Sequence, residues 1–193
     1  STQGYSSAAS DVYKRQIIDS PAIAMKKRVG YVSKDRDVES LCLNASIEDN
    51  ISIAGMSEFA INNFLILKNR EKKYVNHQIE ELSIKCAGRD QSVSQLSGGN
   101  KQKVVFGKWI GCGSEILILD CPTRGVDIGV KQAMYQLMVR LKNEGKSILM
   151  ISEELPELIG MSDRILIMKN GEVSAEFERS ETLSDAQIIE YMI

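Results

Sequence analysis

A Ser-Gly-Gly turn in the middle of the chain carries the residues best suited to hold a phosphate. The turn opens a helix, and a helix start leaves unpaired N–H groups and a partial positive charge that favour an anion. Ser97 can cap this helix or donate its hydroxyl to a phosphate oxygen, while Gly98 and Gly99 let the backbone approach a ligand closely. Lys101 and Lys103 add positive charge. An ordinary capped helix remains the alternative for this turn taken alone.

A carboxylate that could hold Mg²⁺ follows a little further along the chain. Asp120 comes directly after the apolar run Ile116–Leu119, whose lack of alternation predicts a strand buried on both faces. Ligands of open α/β sheets bind at the carboxyl ends of the strands, and Mg²⁺ prefers oxygen ligands. A lone Asp after a strand is often only a turn or cap residue. The two segments in this order favour a nucleotide site over that alternative.

A complete phosphate-binding loop is not found in the 193 residues. The tripeptide Gly145-Lys146-Ser147 resembles the end of G-x-x-x-x-G-K-[ST], but Arg140 stands where the first glycine belongs. That loop must also follow a strand and open a helix, whereas here a helix precedes and a strand follows. We therefore interpret Gly145 as the residue that ends a helix.

The elements that position these residues alternate between strand and helix, which predicts an α/β fold with a parallel sheet. Apolar runs predict strands at 28–33, 115–120, 146–152 and 164–168, the last two also buried. Helices are predicted over most of 46–86, at 98–111 and at 127–144. Residues 34–45 are predicted to be a loop. One face of the 127–144 helix carries the apolar residues Val130, Met134, Leu137, Met138 and Leu141.

Local signals mark several element ends. Lys169–Glu172 is typical of a hairpin turn, leading into a strand at 173–177. Ser46 and Ser184 each begin a segment that resembles a capping box, which indicates a helix start.

Composition limits the possible functions. A net charge of −2, with Lys and Arg spread along the chain, gives no reason to expect nucleic-acid binding. The four cysteines show no C-x-x-C spacing, so reduced thiols are favoured over disulfides or a zinc site. His77, the single histidine, lies in a charged helical stretch and is interpreted as a solvated residue.

Four segments together resemble the second ATPase half of the sugar-import ABC transporters of the ribose, galactose and xylose type. In chain order they are Tyr31–Arg36, Leu96–Lys103, Ile116–Asp127 and Ser152–Arg164. The resemblance covers roughly residues 17–193. It implies a P-loop NTPase-like parallel-sheet core with a helical subdomain, here lacking the Walker A strand and loop.

The resemblance also implies ligands, roles and partners. ATP and Mg²⁺ are the expected cofactors, with Asp120 on the Mg²⁺ and Asp127 in the turn that contacts the opposite site. Halves of this family dimerise head to tail, so the signature helix completes the partner half's ATP site. The residues expected to do so are Ser97, Gly98, Gly99 and Asn100.

The partners implied by the resemblance are the first ATPase half of the same full-length chain, membrane permease subunits and a periplasmic or extracellular sugar-binding protein. The location implied is the cytoplasmic face of the membrane. The activity implied is ATP hydrolysis by the assembled transporter, with this fragment inactive alone.

This half's own catalytic positions are altered relative to the family. Cys121 stands where active members carry the catalytic Glu, and a thiol is a poor substitute for a carboxylate base. Glu153 aligns with the switch histidine. Ser33 and Lys34 replace the Pro and Glu of the Tyr-Val-Pro-Glu-Asp-Arg segment. The resemblance therefore predicts a degenerate local site.

The chain divides into two predicted parts. Residues 1–16 lack periodicity and are interpreted as a non-native, disordered leader, and residues 17–193 as a partial ATPase domain truncated at its N-terminus. Its helical subdomain is expected at about 44–96. Two alternatives stay open: a non-hydrolysing regulatory half, and a non-transport ABC protein acting on ribosomes or DNA.

Overall fold

A computed structural model describes residues 18–61, 65–180 and 183–192 of the chain. The predicted leader at 1–16 lies outside the described residues. The first part of the described chain contains α1 (Pro21–Lys26), β1 (Val29–Val32), a π-helical turn (Arg36–Ser40), α2 (Ile47–Ser52), α3 (Met56–Phe59), β2 (Ala60–Ile61), β3 (Leu65–Ile66) and α4 (Lys68–Glu81).

The second part carries the segments singled out by their chemistry. It contains a 3₁₀ turn (Val93–Gln95), α5 (Gly98–Gly111), β4 (Ile116–Asp120), α6 (Ile128–Asn143), β5 (Ser147–Ile151), α7 (Leu155–Met161), β6 (Arg164–Lys169), β7 (Glu172–Glu178) and α8 (Asp185–Ile189). Among the described residues, no helix combines the length and apolar character needed to span a bilayer.

The central sheet is parallel, as the alternation of strands and helices predicts. Strands β1, β4 and β5 pair in the order β1–β4–β5, with Val32 opposite Leu119 and Leu119 opposite Met150. Strand β6 does not join this sheet, because it pairs antiparallel with β7. The turn between β6 and β7 has left-handed Asn170 and Gly171, as a tight hairpin requires.

The core lies between one face of the sheet and helices α5 and α6. Its fully buried members include Val32, Leu117, Leu119, Val104, Val105, Phe106, Met134, Met138 and Leu141. The predicted apolar face of α6 is confirmed, since four of its five residues are buried and Val130 is half-buried. Helix α6 ends as predicted, because Gly145 adopts a φ of 88° and Lys146 N–H bonds to Leu141 O at 3.0 Å.

The expectation that the strands are buried on both faces is wrong. Ile116 is 42% exposed and Leu149 is 53% exposed, whereas Leu117 and Leu119 are fully buried. Alternate residues of a strand point to opposite faces, and among the described residues helices cover only one face of this sheet. A run of aliphatic residues does not reveal that difference.

Two further boundaries differ from the expectations. The loop predicted at 34–45 contains the π-helical turn at Arg36–Ser40. The region predicted to be mainly helical between 46 and 86 is interrupted by the antiparallel pair of β2 and β3. The capping box at Ser46 is confirmed, because its hydroxyl accepts from Asp49 N–H at 3.0 Å.

Candidate functional site

The carboxyl ends of β1, β4 and β5 meet at one edge of the sheet, as parallel strands require. Lys34 follows β1, Asp120 ends β4 with Cys121 directly after it, and Glu153 follows β5. The structure therefore brings together three of the predicted site residues, and it adds Lys34 to them.

Asp120 is half-buried at the end of the central strand. The hydroxyl of Tyr31, on the neighbouring strand β1, donates to Asp120 Oδ2 at 3.2 Å. Burial and the negative charge of Asp120 raise the pKa of Tyr31. The Tyr31 hydroxyl therefore stays protonated and remains a donor that orients the carboxylate.

Cys121 has an unusual backbone conformation. Its φ is 46°, in the left-handed region that residues with a side chain rarely occupy. Its N–H donates to Ile151 O at 2.9 Å, which fixes the turn to the end of β5. Burial raises the pKa of the Cys121 thiol, Lys34 opposes that effect, and Asp120 and Glu153 add to it. A neutral thiol here is a weak hydrogen-bonding group and not a general base.

An ion pair spans the end of the central strand. Lys34 Nζ bonds to Glu153 Oε1, which raises the pKa of Lys34 and lowers that of Glu153. Glu153 is 74% exposed, so the pair contributes little to stability. Its importance is local, because it binds a cation to the carboxylate of Glu153, which the family resemblance predicts to stand at the switch-histidine position.

The start of α5 forms the second group of predicted residues. Ser97 occupies the N-cap position and is exposed, but its hydroxyl makes no capping bond to the backbone. The Ser97 hydroxyl accepts instead from Asn100 Nδ2 at 2.9 Å, while Asn100 Oδ1 accepts from Lys85 N–H at 2.9 Å. Of the two roles left open for Ser97, the backbone cap is not formed, and Asn100 orients the Ser97 hydroxyl instead.

The two lysines expected to add positive charge at this helix start are bound elsewhere. Lys101 Nζ pairs with Asp37 at 2.8 Å, and Lys103 Nζ donates to Ser83 O at 2.9 Å. Burial lowers the pKa of Lys103. The positive end of α5 therefore depends on its backbone N–H groups more than on these side chains.

The two glycines of the turn differ in their surroundings. A Cβ on Gly99 would lie 2.4 Å from Val130 Cγ2, so its missing side chain makes room for the start of α6. A Cβ on Gly98 would lie 2.9 Å from Arg36 Nη2. Gly99 thus serves helix packing, and Gly98 brings the helix start against a guanidinium.

Arg36 is a functional candidate to which the sequence reasoning assigned no role. Its side chain is 17% exposed, and Nη1 donates to Arg124 O at 3.0 Å. It joins the helix start at Gly98 to the turn after β4. The signal was its place in the Tyr31–Arg36 segment, but its partners lie far away in sequence.

Asp127 links that turn to α6. Its side chain accepts from Val130 N–H at 2.9 Å, which makes it the N-cap of the helix. The turn at 121–127 therefore runs between the sheet edge and a capped helix, with Arg36 holding its middle.

The donor set at the sheet edge fits a single contribution to a magnesium site. Mg²⁺ is usually held by one or two carboxylates together with phosphates and water, and Asp120 is a half-buried carboxylate at such an edge. Among the described residues, no group of three or more metal-ligating side chains is found. Further ligands of Mg²⁺ would therefore come from phosphate and water.

The comparisons with known proteins agree with this arrangement. The family model described as ABC transporter matches residues 5–124, which includes part of the segment interpreted as a leader. The fold resembles an ATP-binding cassette in a dimeric post-hydrolysis state bound to ADP and Pi, with a TM-score of 0.67 and 20% identity, covering 83% of this chain and 68% of that one. It also resembles an ATP-binding cassette in its ADP conformation, with a TM-score of 0.69 and 21% identity, covering 89% and 70%.

Two curated relatives of this chain have the same name. The chain is 38% identical to the ribose import ATP-binding protein RbsA of Clostridium tetani over 192 residues, 98% of this chain and 38% of that protein. It is 44% identical to the protein of the same name from Bacillus subtilis over 172 residues, 89% of this chain and 35% of that protein. The chain thus spans little more than a third of the length of these relatives.

Proposed function

The chain belongs to the ABC transporter family, and from that premise we propose that it is part of the ATP-hydrolysing subunit of a monosaccharide importer. The names of the relatives favour ribose as the sugar. The observation that carries the proposal is the start of α5, where an exposed serine hydroxyl is oriented by Asn100 and the helix start lies against Arg36.

The role of this segment is to complete an ATP site on the partner half of the subunit. The first N–H groups of α5 have no partner within the helix, so they suit an anion approaching along its axis. Ser97, Gly98, Gly99 and Asn100 would bind the terminal phosphate there. ATP, bound with Mg²⁺, supplies the phosphoryl group, and this helix orients it and offsets its charge.

The local site contributes less chemistry. Asp120 would contribute one carboxylate to Mg²⁺, and Tyr31 orients it. Cys121 stands at the position of the general base as a neutral thiol, and Glu153 is neutralised by Lys34. Asp127 caps α6 beside the turn that we expect to face the opposite site.

The proposal includes partners and a location. They are the first ATPase half of the same full-length chain, membrane permease subunits, and a periplasmic or extracellular sugar-binding protein, with the subunit at the cytoplasmic face of the membrane. We also propose that residues at about 44–96 form the helical subdomain that docks on the permease, within a domain at 17–193.

A pair of substitutions tests this assignment in the reconstituted full-length transporter. Ser97→Arg is expected to lower steady-state phosphate release about 10²–10³-fold, the range found for loss of a transition-state donor. Cys121→Ala is expected to leave phosphate release nearly unchanged, because the thiol performs no proton transfer. Ser94→Arg adds the same cation at an exposed serine of the preceding 3₁₀ turn and serves as the control. A larger loss with Cys121→Ala than with Ser97→Arg contradicts the proposal.

A non-hydrolysing regulatory half is the second candidate, and the Lys34–Glu153 pair beside Cys121 favours it for the local site. Two results together would support this alternative. The full-length protein would bind nucleotide, and Ser97→Arg would leave its phosphate release unchanged.

A further inference from the structure

A buried carboxylate on α7 joins the segments that carry the site residues. Glu157 is 5% exposed, and Thr123 Oγ1 donates to its Oε1 at 2.6 Å. The Ser152 hydroxyl donates to Glu157 Oε2, and Tyr135 lies near enough that burial and this carboxylate raise the pKa of its hydroxyl. We call Glu157, Thr123, Ser152 and Tyr135 the Glu157 junction.

Each neighbour of Glu157 in the Glu157 junction belongs to a different element of the site. Thr123 lies in the turn after β4, two residues after Cys121, and is itself 4% exposed. Ser152 follows β5 and directly precedes Glu153. Tyr135 lies on α6, the helix that Asp127 caps. One carboxylate therefore bonds to the segments of Thr123 and Ser152 and lies near α6.

The chemistry of the junction makes it sensitive to the loss of a single donor. An ionised carboxylate only accepts hydrogen bonds, and its burial is costly unless donors satisfy it. Among the described residues, no ion pair includes Glu157; the neighbouring Lys131 pairs with Glu154, and its charge interacts with Glu157 without a direct contact. The hydroxyls of Thr123 and Ser152 therefore stabilise the buried carboxylate, and bonds to a charged acceptor are the stronger kind.

We infer that Glu157 is a positioning residue that fixes the turn at 121–127 relative to the residues after β5, so that the two segments move together. In the transporter this joint movement would link the turn facing the opposite ATP site to Glu153. This part of the inference rests on the proposed function. Glu157 itself touches neither nucleotide nor metal in this role. Its effect passes through Thr123 and Ser152.

The first test uses the 193-residue chain and does not depend on ATP hydrolysis. Thr123→Val keeps the shape of the side chain but removes its hydroxyl, and Thr123→Ser keeps the hydroxyl. We expect amide hydrogen exchange to rise in Thr123→Val at both 121–127 and 152–154, and to stay at the native level in Thr123→Ser. Ser114→Ala removes a buried hydroxyl at the opposite end of β4 and is the control, with no change expected at either segment.

The second test measures the same variants in the reconstituted full-length transporter. Thr123→Val is expected to lower kcat about tenfold with KM for ATP unchanged, since a hydrogen bond to a charged group is lost without any loss of ligand contact. Thr123→Ser is expected to restore kcat. A folding defect alone would lower the amount of folded protein. It would not appear as a loss of kcat, at unchanged KM, that Thr123→Ser reverses.

Three results would overturn the inference: exchange that rises at 121–127 alone, a Thr123→Ser variant that behaves like Thr123→Val, or a change in KM rather than kcat. If Thr123→Val does not fold, Ser152→Ala tests the same link from the other side, with exchange at 121–127 as the readout. If the unmodified transporter does not hydrolyse ATP, the proposed function fails, and the exchange experiment still decides the role of Glu157.

Discussion

Cys121 illustrates how a single position combines backbone strain with an electrostatic conflict. Its left-handed φ of 46° is a conformation that costs a residue with a side chain about 1–2 kcal/mol. The N–H bond to Ile151 O and the Thr123–Glu157 bond hold the turn in this shape. Burial and the charges of Asp120 and Glu153 favour the neutral thiol. The charge of Lys34 favours the thiolate.

The raised pKa of Cys121 predicts slow alkylation near neutral pH. Alkylating reagents react with the thiolate, so a pKa above the usual value of a thiol lowers the reactive fraction between about pH 7 and 9. The deficit disappears once the pH exceeds the raised pKa. Mass spectrometry of iodoacetamide-treated chain gives the rate at Cys121 against pH, with a free cysteine peptide as reference.

A matched variant tests the cause of that shift. Lys34→Met removes the cation that lowers the pKa of Cys121, so the midpoint of the pH–rate curve should move to higher pH. A midpoint that moves to lower pH, or one equal to that of the free peptide in the native chain, contradicts this account of the site.

Single residues also show where sequence reasoning stops. Sequence patterns could locate the end of β4 at Asp120, just before Cys121, and the start of α5 after Ser97. Apolar runs and turn residues are local signals. The contacts of Arg36 with Arg124 O and with the start of α5 could not, since they join residues more than 60 positions apart. The partners of Glu157 are likewise set by tertiary packing.

At the scale of elements, α5 and α6 begin where their signals predict, but their mutual packing adds a constraint. Gly99 faces Val130 so closely that the two helix starts can meet only without a side chain at position 99. The composition of the turn suggests phosphate binding for both glycines, and the structure shows that Gly99 also has a packing role. Periodicity gave the faces of α6 and did not give this contact.

Gly99→Ala is therefore expected to destabilise the chain. Its Cβ would lie 2.4 Å from Val130 Cγ2, and overpacking of this kind costs about 1–3 kcal/mol. Val130→Ala removes the obstructing atoms, so the double variant should be more stable than the sum of the two single effects. Urea unfolding followed by circular dichroism measures all three.

Gly160→Ala is the control for helix propensity. No atom lies within 4 Å of the Cβ it would add on α7, so a small stabilisation is expected. Strictly additive losses in Gly99→Ala and Val130→Ala would show that the contact does not constrain the helix starts.

At the scale of the whole molecule, the parallel sheet and its order of elements could be predicted, whereas the exposure of its second face could not. Tyr31 and Leu149 share that face across the sheet with Ile118 between them, and Ile116 is also exposed on it. Aliphatic side chains are the same in a covered and an uncovered strand. Only the arrangement of the other elements therefore decides whether a face of the sheet is exposed. The antiparallel pairing of β6 with β7 could be predicted, because the hairpin turn at Lys169–Glu172 is a local signal.

The residues of this chain predict how strongly it binds ATP by itself. Tight binding of ATP usually needs a loop whose backbone N–H groups and lysine surround the phosphates, and no such pattern is found in the 193 residues. Lys34, whose charge acts on Cys121 at the sheet edge, is paired with Glu153, and the start of α5 offers only one end of a helix. We therefore expect titration calorimetry of the 193-residue chain to show no binding of Mg-ATP up to about 1 mM. The full-length subunit under the same conditions is the positive control, since under the proposed function its partner half binds ATP. A micromolar dissociation constant for the 193-residue chain would contradict this prediction and would assign to its own residues a phosphate site that neither its sequence pattern nor its strand ends indicate.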